Sequence, residues 1–466
     1  MTGTIELLSL SALEARDRIR AGELTPLDLV EASIRRIEAV DIGVNAIPVR
    51  CFDRALAQAR GLMERHAGAP RNYPLLAGLP LVVKDNSDVA GVPTSGGSPL
   101  TQVQMPERSD PVIARLEAHG AIPVGKSNLS ELGGANTTNA LFGPTRNPFD
   151  PRLTPAGSSG GSAVALATGE VLLAHGNDVG GSLRTPAGFC GVVGLRPTPG
   201  LVPRKPSADP QDTIFVEGPM ARSVADTALM LDGMAGPCAS DPLSYDGLAD
   251  GGFLAAALRP RAPGRVAVSA DLGVLPVSKE NRRHFERVET LLGREQVAYD
   301  RAEPDFVGVQ RATNVIRGVG YASKWKERWP AEAERFTADV RGDIERGMAA
   351  SPDEVAQAQR RRTKLTSDVE TFFQRYDVLI CPVAQTGPFP VELPWPTEID
   401  GKPLATYIEW IAVTYFWSMA GVPALTVSIG RDERGFPIGV QLVGPPRSER
   451  RLLAAAAWLE AIARPS

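Results

Sequence analysis

The chain reads as an α/β protein, and three features carry that reading. Between LAGLPLVVKDN and GLRPTPGLVP, short β-branched or apolar runs (LPLVV, AIPVG, EVLLA, GVVGL) alternate with glycine-rich turns and helical stretches such as DPVIARLEAHG. Such alternation interleaves strands with helices around a sheet. The 466 residues are 43% hydrophobic, enough to bury a large core and far from a disordered composition. Strand-like runs then return late in the chain, at YDVLICPV and PALTVSIG.

Taken in order, residues 1–70 form an N-terminal helical layer, with apolar side chains at helical spacing in LTPLDLVEASIRRIEAV. Thr25 before Pro26 supplies an N-cap with proline at the first helical position. Residues 71–235 carry the α/β texture and the glycine-rich motifs. Residues 240–370 are richer in charge and mostly helical, as in DEVAQAQRRRTKLTSDVETFFQRY, and read as an insertion or covering layer. Residues 371–466 return to the core sheet. No repeat or low-complexity linker interrupts the chain, so 1–466 reads as a single domain.

Composition excludes several classes. Fifty basic against 54 acidic residues give a net charge of -4, with no basic block dense enough to track phosphates, so no nucleic-acid partner is expected. The N-terminal stretch lacks a basic and an apolar signal region, and no run of 18 apolar residues occurs. These features predict no membrane partner and a cytoplasmic location. Cys51, Cys190, Cys238 and Cys381 are far apart with no C-x-x-C, which predicts reduced thiols and no metal site. GAIPVGKS, Gly120–Ser127, spells a phosphate-loop pattern. However, a helical stretch precedes it and AIPV is itself strand-like, so a strand entering a helix capped near Ser127 is expected.

Two glycine-rich segments invite a catalytic reading. TPAGSSGGSAVALATG holds Ser158 and Ser159, and GNDVGGSLR holds Ser182, 24 residues beyond Ser158. The strand-length EVLLAHGND between them can fold the two serines back towards each other. Gly180 and Gly181 let successive N–H groups face one point, as an oxyanion hole requires. A serine nucleophile needs a base, and there are four histidines: His66, His119, His175 and His284, none in a triad-like motif. His175, in the strand LLAHG, is the contender among them, although a packed role suits it better. Lys84 is the alternative, because it ends the apolar run LPLVVK and burial favours its neutral amine. A plain ion pair between Lys84 and neighbouring Asp85 is the competing reading.

With LAGLPLVVKDN, TPAGSSGGSA and GNDVGGSLRTPAGFCGVVGLRPT in place, the sequence resembles the amidase signature family of hydrolases, from about Leu13 to the C-terminus and most densely between Gly78 and Thr198. The resemblance implies a central mixed β-sheet covered by helices on both faces. It implies an amide hydrolase with a Ser-Ser-Lys triad: Ser182 as nucleophile, Ser158 as bridging serine and Lys84 as base. By the same match Val179, Gly180, Gly181 and Ser182 would form the oxyanion hole, with Asp178, Arg184 and Ser159 in support. Leu132, Gly133, Gly134, Asn177, Ile411, Trp410 and Tyr415 are the expected substrate contacts. No metal or organic cofactor enters such a scheme. A small-molecule amide is the implied partner, and a homodimer is compatible with the sequence.

Departures from the family pattern bear on substrate. Asn177 stands where relatives commonly show Thr or Ser, Arg196 replaces a common Lys in GLRPT, and Ser428 stands where many have Pro. The rival reading is the glutaminase subunit of a tRNA-dependent amidotransferase. That subunit carries an acidic residue before its AGLPA-like segment, where this chain places Ile411, with Glu409 out of register. The aromatic run Trp410, Tyr415 and Trp417 suits an aryl or alkyl acyl group, as in a primary amide or hydrazide, although such a cluster also makes ordinary core.

Overall fold

The computed structural model describes residues 2–464 apart from 102, 135, 207, 208, 249 and 250. Its first nine strands are β1 (Val49–Arg50), β2 (Pro80–Lys84), β3 (Ile122–Ser127), β4 (Leu173–Asp178), β5 (Val193–Arg196), β6 (Val216–Ala221), β7 (Val266–Val268), β8 (Tyr299–Arg301) and β9 (Val378–Pro382). A small hairpin follows, β10 (Glu398–Ile399) and β11 (Lys402–Pro403), and then the long pair β12 (Ala424–Arg431) and β13 (Pro437–Val443). All but the small hairpin join one mixed 11-stranded sheet in the order β1-β3-β2-β4-β6-β5-β12-β13-β9-β7-β8.

The sheet is covered on both faces, and β2 shows why its sequence is an unbroken apolar run. Successive strand side chains point to opposite faces. Leu81 and Val83 pack into a core layer with Ile113, Leu229, Leu453 and Ile19, from helices Pro111–Ala118, Val224–Met234, Glu449–Ala463 and Ala12–Ala21. Val82 packs the other way, with Val30, Ala59 and Val164 from helices Pro26–Val44, Phe52–Arg65 and Gly160–Ala167. A strand buried on both faces cannot alternate with polar residues, hence PLVV. The helix from Pro26 begins as its sequence predicts, with the Thr25 side chain accepting from the Asp28 N–H and the Asp28 carboxylate accepting from the Thr25 N–H.

Two expectations need correction. Residues 240–370 are not only helical cover, since they contribute β7 and β8 to one end of the sheet. Three-residue strands are too short to show a period, so the surrounding helices masked them. No helix is capped at Ser127 either. It is the last residue of β3, its hydroxyl is 2.7 Å from that of Ser162, and the chain runs on to a short 3-10 turn, Glu131–Gly133.

Among the described residues no helix is long and apolar enough to cross a membrane. What matters for chemistry is the centre of the sheet. β2 and β4 are parallel neighbours, with Leu81 opposite Leu173 and Val82 opposite Ala174, whereas β4 and β6 run antiparallel. The carboxyl ends of β2 and β4 therefore emerge side by side, the position at which open α/β sheets place ligands.

Candidate active site

Lys84 is the last residue of β2 and is completely buried. Its Nζ donates to Ser158 Oγ and to Asn177 Oδ1, both at 2.7 Å. Burial pulls the ammonium down to about 7, against the Glu217 and Asp178 carboxylates, which push it up. Asp85 is not its partner. Asp85 faces Lys126 at 3.2 Å, with both side chains fully buried, because adjacent strand-end residues point to opposite faces.

Ser158 follows a cis Gly157–Ser158 peptide bond and is 3% exposed. The adjoining Ser159 N–H donates to the Ser182 carbonyl at 3.2 Å, and Ser159 Oγ donates to the Asn177 carbonyl at 3.3 Å. These bonds fold the two serine segments together across the end of β4. Ser182 is half-buried, and its hydroxyl has no hydrogen-bond partner among the described residues.

The loop Val179–Ser182 turns where no side chain fits. Gly181 has φ +122°, and a β-carbon there would collide with the Thr414 hydroxyl. One at Gly180 would lie 2.7 Å from Tyr415 Cδ1. The sequence leads one to expect four N–H groups converging here, but Gly181 N–H donates to Asp178 Oδ1 at 2.9 Å. Among the described residues, those of Val179, Gly180 and Ser182 have no protein acceptor. The difference arises because the Asp178 carboxylate reaches forward into the turn as well as backward to its cations.

Behind the loop Asp178 lies between Arg184 at 3.1 Å and Arg196 at 3.3 Å, all three side chains fully buried. Burial alone would raise this carboxyl, but the two guanidiniums outweigh it and hold it well below the usual carboxylate range. Arg184 also donates to the Thr414 carbonyl, Gln441 Oε1 and Ser418 Oγ. Arg196 adds bonds to the carbonyls of Asp178 and Ile214. The sequence did not reveal its part, although its departure from the family's lysine was the available signal.

His175 is also buried, but its Nε2 lies 3.0 Å from Glu217 Oε2, and it has no hydrogen bond to either serine. Of the expected substrate contacts, Asn177 sits on Lys84 rather than in the open and is 4% exposed. Leu132 and Gly133 are half-buried, and their carbonyls accept from Tyr321 Oη at 2.7 Å and Arg317 Nη2 at 3.3 Å. Gly134 abuts the Asp339 carboxylate. Ile411 is half-buried, and Glu409 turns back to accept from the Ala405 N–H at 3.0 Å.

Trp410 is not a pocket wall. It is 0% exposed and lies against Phe189 and Phe389, because the turn Tyr407–Ile411 buries its apolar side chains in the core beneath it. Trp410→Ala is therefore expected to cost about 3–5 kcal/mol of stability. The urea midpoint checks this, alongside kcat per folded molecule, which should change little. Unchanged stability with a raised KM confined to aromatic amides would return Trp410 to the pocket.

One histidine–carboxylate group among the described residues has metal-like spacing, Glu280, His284 and Asp432. Arg434 bridges it, 2.8 Å from Glu280 and 3.3 Å from Asp432. None of the residues around Lys84 belongs to it.

The Amidase family model matches residues 28–453. A glutamyl-tRNA(Gln) amidotransferase subunit of Thermus thermophilus is 35% identical over 477 residues, covering 97% of each chain. A bacterial aryl acylamidase of the amidase signature family has a similar structure, with TM-score 0.88 and 25% identity, covering 97% of this chain and 96% of that one. The peptide amidase of Stenotrophomonas maltophilia has TM-score 0.78 and 26% identity, covering 97% of this chain and 96% of that one. A match over most of the chain, together with a shared fold, makes this protein an amide hydrolase of the amidase signature family.

Proposed function

We propose that the chain hydrolyses a small carboxylic amide, a primary amide or related hydrazide, through a serine acyl-enzyme formed by Ser182, Ser158 and Lys84. The observation that carries this is the buried 2.7 Å contact between Lys84 Nζ and Ser158 Oγ. A neutral amine keeps two donors and one lone pair. It can donate to Asn177 Oδ1 while accepting the Ser158 proton over that same distance.

As Ser182 Oγ attacks the amide carbonyl, its proton passes to Ser158, whose own proton passes to Lys84. The reverse transfer protonates the departing ammonia or amine, and water then cleaves the ester. The oxyanion meets the N–H groups of Val179, Gly180 and Ser182. Behind them two guanidiniums and one carboxylate leave a net positive charge that favours the developing negative one. Catalytic hydrogen bonds commonly tighten only in the substrate complex, which accommodates the unpaired Ser182 hydroxyl.

A second reading, a glutaminase working within an amidotransferase, draws support from the relative in Thermus thermophilus. Against it stand Ile411 where that reading requires an acidic residue and the inward turn of Glu409. Ammonia release from butyramide, glutaramic acid and glutamine by the purified chain, measured from pH 5 to 9, tests both readings. Butyramide turnover should rise with pH and level off above about 7, where Lys84 is neutral, and be about tenfold lower one unit below. Glutamine turnover well above that of glutaramic acid, its analogue without the amino group, would favour the glutaminase.

The same titration affects stability. The folded value lies below the ordinary 10.5, so between about 7 and 10.5 the unfolded chain holds the extra proton. The contribution of Lys84 to stability is least favourable below pH 7 and improves as pH rises through that window.

A further inference from the structure

Arg317, on helix Val309–Trp325, is a cation in an unusual place. Its side chain is 6% exposed, and its Nε donates to Asp343 at 2.8 Å. Its Nη2 serves Tyr407 Oη, Tyr321 Oη at 3.0 Å and the Gly133 carbonyl at 3.3 Å. Among the described residues Nη1 donates to no carbonyl and no carboxylate. The guanidinium carbon lies 5.9 Å from the Tyr415 ring centre.

Two chains of contact connect this group to the loops that carry Ser158 and Ser182. On one side the Gly133 carbonyl belongs to the loop in which the Ser130 N–H donates to the Ser158 carbonyl at 3.4 Å. On the other, the Tyr415 ring packs against Gly180 in the Val179–Ser182 loop. Arg317 therefore bridges the Ser158 side and the oxyanion side. On these loops Leu132, Gly133, Val179 and Ser182 are only half-buried, as is Tyr321 on the helix of Arg317, so part of this region meets solvent.

Arg317 does not have a carboxylate to itself. Asp343 is shared between Arg317 and Arg346, which leaves two cations to one carboxylate. Asp339, the other acid at this loop, abuts Gly134 and has its carboxyl raised from the ordinary value, with burial the largest cause. A cation held rigidly by neighbours, with one nitrogen lacking an anionic partner, is suited to a carboxylate arriving with the substrate.

We infer that Arg317, with the Tyr415 phenol beside it, is a specificity-determining residue that receives a carboxylate carried on the acyl group of the amide. The preferred substrate is then the monoamide of a short dicarboxylic acid. This rests on the proposed Ser182 acyl-enzyme site and names its substrate class.

The full-length chain is assayed with succinamic acid, its methyl ester and butyramide, which share a short acyl chain but differ at the far end. kcat/KM for succinamic acid should exceed that for butyramide by at least tenfold, with the neutral ester between. In Arg317→Met the ratio should fall to within about twofold of one, whereas Arg317→Lys, which keeps a charge, should retain part of the preference.

Because Arg317→Met releases Asp343 and can weaken the fold, binding is also measured on Ser182→Ala. Succinate should bind at least tenfold more tightly than butyrate, and added salt should reduce the difference. Equal kcat/KM for succinamic acid and butyramide, or equal binding of the two acids, overturns the inference while leaving Ser182 chemistry intact. A preference that survives in Arg317→Met also overturns it. Failure to hydrolyse any of the three amides, with succinate still bound selectively, instead counts against the acyl-enzyme reading.

Discussion

Ser182→Ala is expected to lower kcat by about 10³-fold or more, with Lys84→Met and Ser158→Ala falling close to it. Members of a proton relay act as a unit, so losing one removes most of what the set achieves. Methionine is chosen at Lys84 because it fills the buried volume. Alanine would leave a cavity beside Asn177 and confuse lost chemistry with lost packing. Thermal unfolding of each variant and trapping of acyl-enzyme by mass spectrometry separate the two effects. His175→Gln is the control, since glutamine can keep a hydrogen bond to Glu217. Activity there should stay within about tenfold of the parent. A loss as deep as in Ser182→Ala would make histidine, not lysine, the base.

Asp178→Ala should be the most destabilising single change at the site, by about 3–5 kcal/mol, because it leaves two buried guanidiniums without their carboxylate. The change also removes the acceptors of the Gly181 and Leu183 N–H groups, so the turn that shapes the loop loses its anchor. Urea unfolding measures the first effect. Residual kcat in the folded fraction measures the second, expected to fall by a further 10²-fold, the scale of one displaced oxyanion donor. A stability loss below about 1 kcal/mol would mean that Arg184 finds enough compensation in the Thr414 carbonyl, Gln441 and Ser418.

Much of the fold is legible in the residues because the rules that write it are local. PLVVK announces a doubly covered strand, Thr25-Pro26 announces a helix start, and Gly180-Gly181 announces a turn without room for side chains. The strands β7 and β8 at one end of the sheet escape such reading because three residues hold no period. The turn-like stretch after Ser127 escapes it for another reason. A strand end and a helix cap use the same small polar residues, and the pairing of Ser127 with Lys84 across β3 and β2 tells them apart.

The site divides along the same line. The sequence by itself determined the α/β class, the family and the motif residues Lys84, Ser158 and Ser182, since each sits in a short segment whose glycines, small residues and apolar run are needed at fixed spacing. Only the tertiary structure decided what each of them meets. It turned Lys84 towards Ser158 and Asn177 and gave Asp85 to Lys126. It spent the Gly181 N–H on Asp178 and sank Trp410 among Phe189 and Phe389. It also brought Arg317, with no motif to mark it, to the carbonyl of Gly133. The physical reason is that strand alternation fixes which face a side chain takes, while its partner there depends on the packing of segments far apart in the chain. No local pattern encodes that distance.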